Sequence, residues 1–115
     1  MLHSNNRLRD QNEFQKVFQQ GKSAANRQFV VYMLPKEGQE QIRIGISVSK
    51  KIGKAVVRNR VKRLIREASR LVLPEITWRG DLVIIARTPV AEMEFHELSA
   101  SLNHCLRKAK LLSKE

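Results

Sequence analysis

The apolar positions of this chain fall into short runs whose spacing changes from helical to extended and back. Phe14, Val17 and Phe18 recur at i, i+3 and i+4, behind Asp10 and Glu13 spaced as a capping box and ahead of Gly21, which predicts a short first helix. From Phe29 to Leu34 the chain reads FVVYML, aromatic and β-branched, and Pro35 stops it. The polar, glycine-containing PKEGQEQ that follows has the composition of a turn. Beyond it Ile42, Ile44, Ile46 and Val48 alternate strictly with Arg43, Gly45, Ser47 and Ser49, a strand with one apolar face and one small, polar face. These two extended runs read together as a hairpin.

After Gly53 the helical period returns: Val57, Val61, Leu64, Ile65, Ala68, Leu71 and Val72 define one apolar stripe, ending before Pro74. Asp81–Arg87 (DLVIIAR) carries an uninterrupted apolar stretch that suits a strand buried on both faces, as parallel strands tend to be. Phe95, Leu98, Leu102, Leu106 and Ala109 then trace a last amphipathic helix. These runs give helix, strand, strand, helix, strand, helix, an α+β arrangement around a small mixed sheet. The strand, second helix and strand form a βαβ unit, for which ordinary chirality predicts a right-handed crossover. A chain of 115 residues is expected to make one domain, residues 1–115, with an ordinary core and no staples.

Composition narrows the classes. The single Cys105 can form no internal disulfide and no multi-cysteine zinc site, and on or near the apolar side of the last helix it reads as a small core residue. MLHSNNRLRDQNEF holds no apolar signal-peptide region, and no stretch approaches the roughly 20 apolar residues of a membrane span, so a cytoplasmic protein is expected. The net charge of +11 is concentrated: nine of the 22 basic residues and one of the 11 acidic ones lie between Lys50 and Arg70, a net +8 there against +3 elsewhere. At about 100° per residue, Asn59, Lys62, Arg63, Arg66 and Arg70 share an arc opposite the apolar stripe, with Arg58 and Arg60 on its flanks. Cations at i and i+4 repel one another unless an anion faces them, and arginine suits bidentate contact with phosphate. The start of this helix adds its own positive dipole end beside Lys50, Lys51 and Lys54.

No nucleophile elbow, zinc-protease motif or Walker-type phosphate loop is present, and His96 and His104 read as solvated helix positions. Aromatics are few. Phe14, Phe18 and Tyr32 are candidate stacking platforms for single-stranded nucleic acid, while the two phenylalanines fit equally the apolar staple of a short helix on the core. Phe29, Trp78 and Phe95 are left to the core or its rim. A ribosomal or general RNA-binding module would share the charge without needing an aromatic cleft. An interfacial helix would need Trp or Phe anchors that the second helix lacks, and a helix-turn-helix would need a second short helix.

RNRVKRLIREA at 58–68, preceded by ISVSKKIGKAVVRNR from Ile46 and by FQKVFQQG from Phe14, resembles the protein subunit of bacterial ribonuclease P, a likeness running from about Arg7 through the last helix. The resemblance implies an α+β fold in the order αβββαβα, a small mixed sheet of about four strands like the second domain of ribosomal protein S5. It also implies a left-handed βαβ crossover, against the general rule. Its function would be to support removal of the 5′ leader from precursor tRNA by a ribonucleoprotein endonuclease whose RNA subunit performs catalysis with magnesium, so no catalytic residue is expected in the protein. Arg58, Asn59, Arg60, Lys62, Arg63, Arg66 and Arg70 would face the catalytic RNA. Phe14, Phe18 and Tyr32, with Ser47, Ser49, Lys50 and Lys51, would line a cleft for the single-stranded leader. The implied partners are the catalytic RNA and precursor tRNA, with no membrane, no obligate protein partner and no assigned metal ligand in the protein.

Overall fold

In the computed structural model, which describes residues 6–112, Asp10 opens the first helix: its Oδ1 accepts from the Asn12 and Glu13 amides at 2.8 and 3.2 Å. The elements are α1 (Gln11–Gln20), β1 (Lys22–Ala25), β2 (Phe29–Pro35), β3 (Arg43–Ser47), α2 (Ala55–Val72), β4 (Gly80–Ala86) and α3 (Phe95–Lys108), with single 3₁₀ turns at Lys50–Ile52, Leu73–Glu75 and Thr88–Glu92. This is the αβββαβα order. The hydrophobic runs alone miss β1, because KSAA carries no large apolar residue and is made a strand by pairing with β2.

The hairpin read between β2 and β3 does not form. The sheet order is β1-β2-β4-β3, with β4 antiparallel to β2 and parallel to β3. The reason lies in β4, whose GDLVIIA is buried at every position but Ile85 and is best covered by a strand on each side. The true hairpin joins β1 to β2 through Asn26, whose Oδ1 accepts from the amides of Gln28 and Phe29 at 3.0 and 2.8 Å.

One face of the sheet carries the main core. Phe29, Val31, Ile44, Leu82 and Ile84 pack there against Val61, Ile65, Ala68 and Val72 of α2 and Leu98, Leu102 and Leu106 of α3. Cys105 is buried in the same cluster, and Trp78 and Phe95 pack at its rim. The apolar stripe of α2 differs from expectation at one position: Leu71 is 51% exposed, and Ser69 takes the inward slot, its hydroxyl donating to the Ile65 carbonyl at 2.7 Å. Beyond α3, Lys110 adopts φ 64° and Leu111 N–H returns to the Leu106 carbonyl, a helix-ending turn that tucks Leu111 and Leu112 under the core. The sequence pattern gives no hint of that anchoring.

Candidate nucleic-acid interface

Among the described residues α1 is the helix that crosses the other face of the sheet, and the strand registers divide that face into three rungs. Leu34, Asp81 and Arg43 form the first, Tyr32, Val83 and Gly45 the second, Val30, Ile85 and Ser47 the third. The first rung is locked by charge. Arg43 Nε and Nη2 each donate to the fully buried Asp81 carboxylate at 2.9 Å, while its Nη1 reaches Glu13 Oε1 of α1 at 3.1 Å and Nη2 also donates to Glu13 Oε2. Lys36 Nζ joins both acids, 2.6 Å from Asp81 and 3.3 Å from Glu13, and Gln39 donates to Asp81 at 3.3 Å. Burial pushes the Asp81 carboxyl up, but the hydrogen bonds from Arg43, Lys36 and Gln39 outweigh it and hold the group below the ordinary carboxylate range. Glu13 is held down chiefly by its bond from Arg43, and Lys36 is raised chiefly by Asp81. Glu13 therefore does not complete the capping box expected with Asp10; its side chain turns to the sheet instead.

On the second rung the far end of the Phe14 ring lies against Gly45, so close that a Cβ there would sit 2.3 Å from the ring's Cζ. Phe14, Val17, Leu8 and Val83 make a small second core with Tyr32. Phe14 and Phe18 rings stand 6.4 Å apart at 57°, and Phe18 meets Tyr32 edge-on at 5.1 Å and 90°. The three candidate platforms thus form one chain of contacts. Phe14 belongs to this second core as well as to the surface, whereas Phe18 is 37% exposed. On the third rung Ser47 lies half-buried on the same face, and the chain continues past β3 to Ser49, Lys50 and Lys51, all exposed.

Along α2 the predicted ridge divides by environment. Asn59 and Arg63 are exposed. Arg70 is bound by both guanidinium nitrogens to Glu67, at 2.9 and 2.7 Å, and this bond holds the Glu67 carboxyl down to about 2. Arg60 Nη2 donates to the Met93 carbonyl at 3.1 Å, on the side facing α3. Arg58, Lys62 and Arg66, spaced four residues apart, are half-buried along one flank, and Arg58 Nε is buried with no partner among the described residues.

Two basic residues escaped the sequence reading. Residues 6–8 pair along the open edge of β3: Asn6 donates to the Ile42 carbonyl at 2.8 Å, Leu8 N–H to that of Ile44 at 2.9 Å, and Leu8 is buried. Arg7 and Arg9 then flank a hollow of about 350 Å³ over Phe14, Ile44 and Ile46, with Arg66 of α2 on the far side. The alternation Arg-Leu-Arg just ahead of a capped helix is the signal that could have found them.

Among the described residues no three His, Cys, Asp or Glu side chains gather as metal ligands. The Glu13 and Asp81 carboxylates beside α1 are already taken by Arg43 and Lys36. His96 and His104 are exposed, and burial pushes the Cys105 thiol up. No helix among these residues is long and apolar enough to cross a membrane.

Comparison with known proteins places these features in context. Residues 2–110 match the family model described as Ribonuclease P. The chain is 55% identical over 109 residues to the ribonuclease P protein component of Geobacillus sp. strain WCH70, covering 95% of this chain and 94% of that one. Its structure is similar to that of the Staphylococcus aureus RNase P protein, with a TM-score of 0.87, 41% identity and coverage of 94% and 98%. It is also similar to the RNase P protein from Thermotoga maritima in complex with 1-(4-fluorophenyl)-2-thiourea, with a TM-score of 0.80, 34% identity and coverage of 95% and 100%.

Proposed function

The chain belongs to the family of ribonuclease P protein components, which support 5′ processing of tRNA together with an RNA subunit, and from that membership we propose how its two surfaces divide the work. The basic face of α2, led by Asn59, Lys62 and Arg63, docks on the catalytic RNA. Arg58 extends that face along one flank, and Arg60 and Arg70 lie at its margins, already held by Met93 and Glu67. The α1 side of the sheet receives the single-stranded leader of precursor tRNA, with bases stacking on Phe14, Phe18 and Tyr32 and the backbone running past Ser47, Ser49, Lys50 and Lys51. The observation that carries this reading is the separation of the two surfaces: α2 packs on one face of the sheet and the aromatic chain on the other. One small protein can then touch catalytic RNA and substrate at once.

Its contribution is binding energy and charge. Placed between two polyanions, the cations lower their mutual repulsion and reduce the salt needed for productive binding. Magnesium would be held by the RNA subunit and supply the hydrolytic chemistry there; on the cleft face of the protein the Asp81 and Glu13 carboxylates are paired with Arg43 and Lys36. Positioning is what remains to the protein: the Glu13 clamp and the Phe14–Gly45 contact hold α1 across the sheet, so the platforms are set before the leader arrives. The protein works in the cytoplasm, without a membrane or an obligate protein partner.

The test is reconstitution at low magnesium with precursor tRNA, with and without its leader. The chain is expected to accelerate cleavage by the RNA subunit, to favour the leader-bearing substrate, and to cleave nothing alone. Cleavage by the isolated protein, or equal help for leaderless substrates, would overturn the reading.

A further inference from the structure

Arg7, Arg9 and Arg66 surround one hollow, and among the described residues none of the three makes an ion pair or a side-chain hydrogen bond. Such an arrangement is unfavourable by itself, because like charges repel and a buried donor without a partner is destabilising. Arg7 Nε is such a donor, and Arg58 Nε, on the same flank of α2 as Arg66 and two turns earlier, is another. Burial and the charges of Arg7 and Arg9 both act against the Arg66 cation, pushing it below its ordinary value. Elsewhere the fold balances its buried charge carefully, as Arg43 and Lys36 do with Asp81 and Glu13.

The geometry suits one kind of ligand. Three guanidinium groups on two elements can grip a tetrahedral anion from several sides, and the hollow is as large as a small ligand site, with room for one nucleotide. Its floor includes Phe14, the same ring that closes the cleft on the other side of the β3 edge. We propose that this hollow takes a phosphodiester of the leader as the strand leaves the aromatic cleft and crosses the β3 edge toward α2. Arg66 is thereby a substrate contact rather than part of the surface that docks on the catalytic RNA. The inference rests on the reading that the leader occupies the Phe14–Tyr32 cleft.

The test uses holoenzyme assembled with Arg9→Gln, Arg66→Gln and the double variant. Affinity is measured for precursor tRNA with a long leader, for precursor with a two-nucleotide leader and for mature tRNA, and the protein's affinity for the RNA subunit is followed separately, all across a salt series. Each single variant is expected to weaken the long-leader precursor about tenfold, as for one lost hydrogen bond between charged groups. The double variant should lose less than the product of the singles, since both arginines grip one phosphate. The slope of log affinity against log salt should fall by roughly 0.7. Mature tRNA binding and assembly with the RNA subunit should stay as they are, and the protein's melting temperature should hold or rise, because a repelling cation has gone. A merely structural arginine would lower it.

Long-leader affinity within twofold of the parent would overturn the proposal. So would weakened assembly with the RNA subunit at unchanged leader preference, which would assign the phosphate to the catalytic RNA. A parallel Phe18→Ala holoenzyme separates the two levels. If it loses leader preference while the arginine variants keep it, only this inference fails; if all keep it, the cleft reading fails as well.

Discussion

Replacing Gly45 by alanine tests the contact on which the cleft depends. Gly45 is not among the glycines with positive φ, so its backbone accepts any residue, and a glycine-to-alanine change at such a site ordinarily stabilises by about 0.4–1 kcal/mol through the unfolded chain. Here the added Cβ would meet three Phe14 ring atoms at 2.3, 2.8 and 3.0 Å. Carbon atoms pack best at about 3.5–4.0 Å, so the ring must retreat by at least about 1 Å. Overpacking of this kind costs about 1–3 kcal/mol, more than the entropic gain, and the net expectation is a loss of about 1–2 kcal/mol. Paired with Phe14→Ala, the same change should become neutral or stabilising, because nothing then opposes the methyl group. Urea unfolding of the four proteins measures this coupling directly. Leader affinity in the holoenzyme should fall in Gly45→Ala, while affinity for the RNA subunit holds. Equal effects of the alanine with and without Phe14, or full leader affinity in the single variant, would refute the packing and the role assigned to it.

The clamp makes a second prediction: Asp81→Asn leaves Arg43 and Lys36 without their buried partner and should cost about 3 kcal/mol, read from the urea midpoint, the partial exposure of both cations keeping the loss at the low end of the range for broken buried pairs. Asp81 and Glu13 both titrate below their ordinary range, so their stabilisation is complete above about pH 5 and is lost as pH falls through their lowered folded-state values; the variant should show a shallower loss of stability in acid. Lys36, shifted upward, contributes at every pH below its ordinary value and loses its share only in strong alkali. Phe18→Ala removes a ring already 37% exposed, so the melting temperature should drop by only a few degrees while leader preference is largely lost. Arg63→Ala, at an exposed position, should weaken assembly with the RNA subunit and reduce its salt slope by roughly 0.7 to 0.9, with unchanged stability.

Much of this was legible in the residues. Periodicity placed α1, α2 and α3, the uninterrupted apolar run placed β4, and the strict alternation at Ile42 to Ser49 separated the core face of β3 from the face that meets α1. What periodicity cannot carry is partnership. KSAA becomes a strand only because β2 offers it an edge, and β2 and β3 are kept apart by a strand that arrives much later in the chain. The helical wheel of α2 found its cations but not their company: Glu67 claims Arg70, Met93 claims Arg60, and Arg66 turns toward Arg7 and Arg9. Glu13 and Asp10 fit a local cap by spacing, yet Arg43 and Lys36, gathered on the sheet by the buried Asp81, outcompete the cap for the glutamate.

The position of β4 between two strands made earlier also sets the timing of competence. As the chain is synthesised, β2 and β3 are complete while the strand that joins them is still to come, and at ordinary elongation rates the wait from Ser47 to Ala86 is roughly 2 to 8 s. During that interval both strands carry an unsatisfied edge, α2 has no sheet to lie on, and Arg43 and Glu13 lack the aspartate that gathers them into one clamp. A nascent chain shorter than about residue 86 therefore lacks the strand on which both α1 and α2 depend, and the insertion of one seven-residue strand supplies a complete sheet to both faces at once.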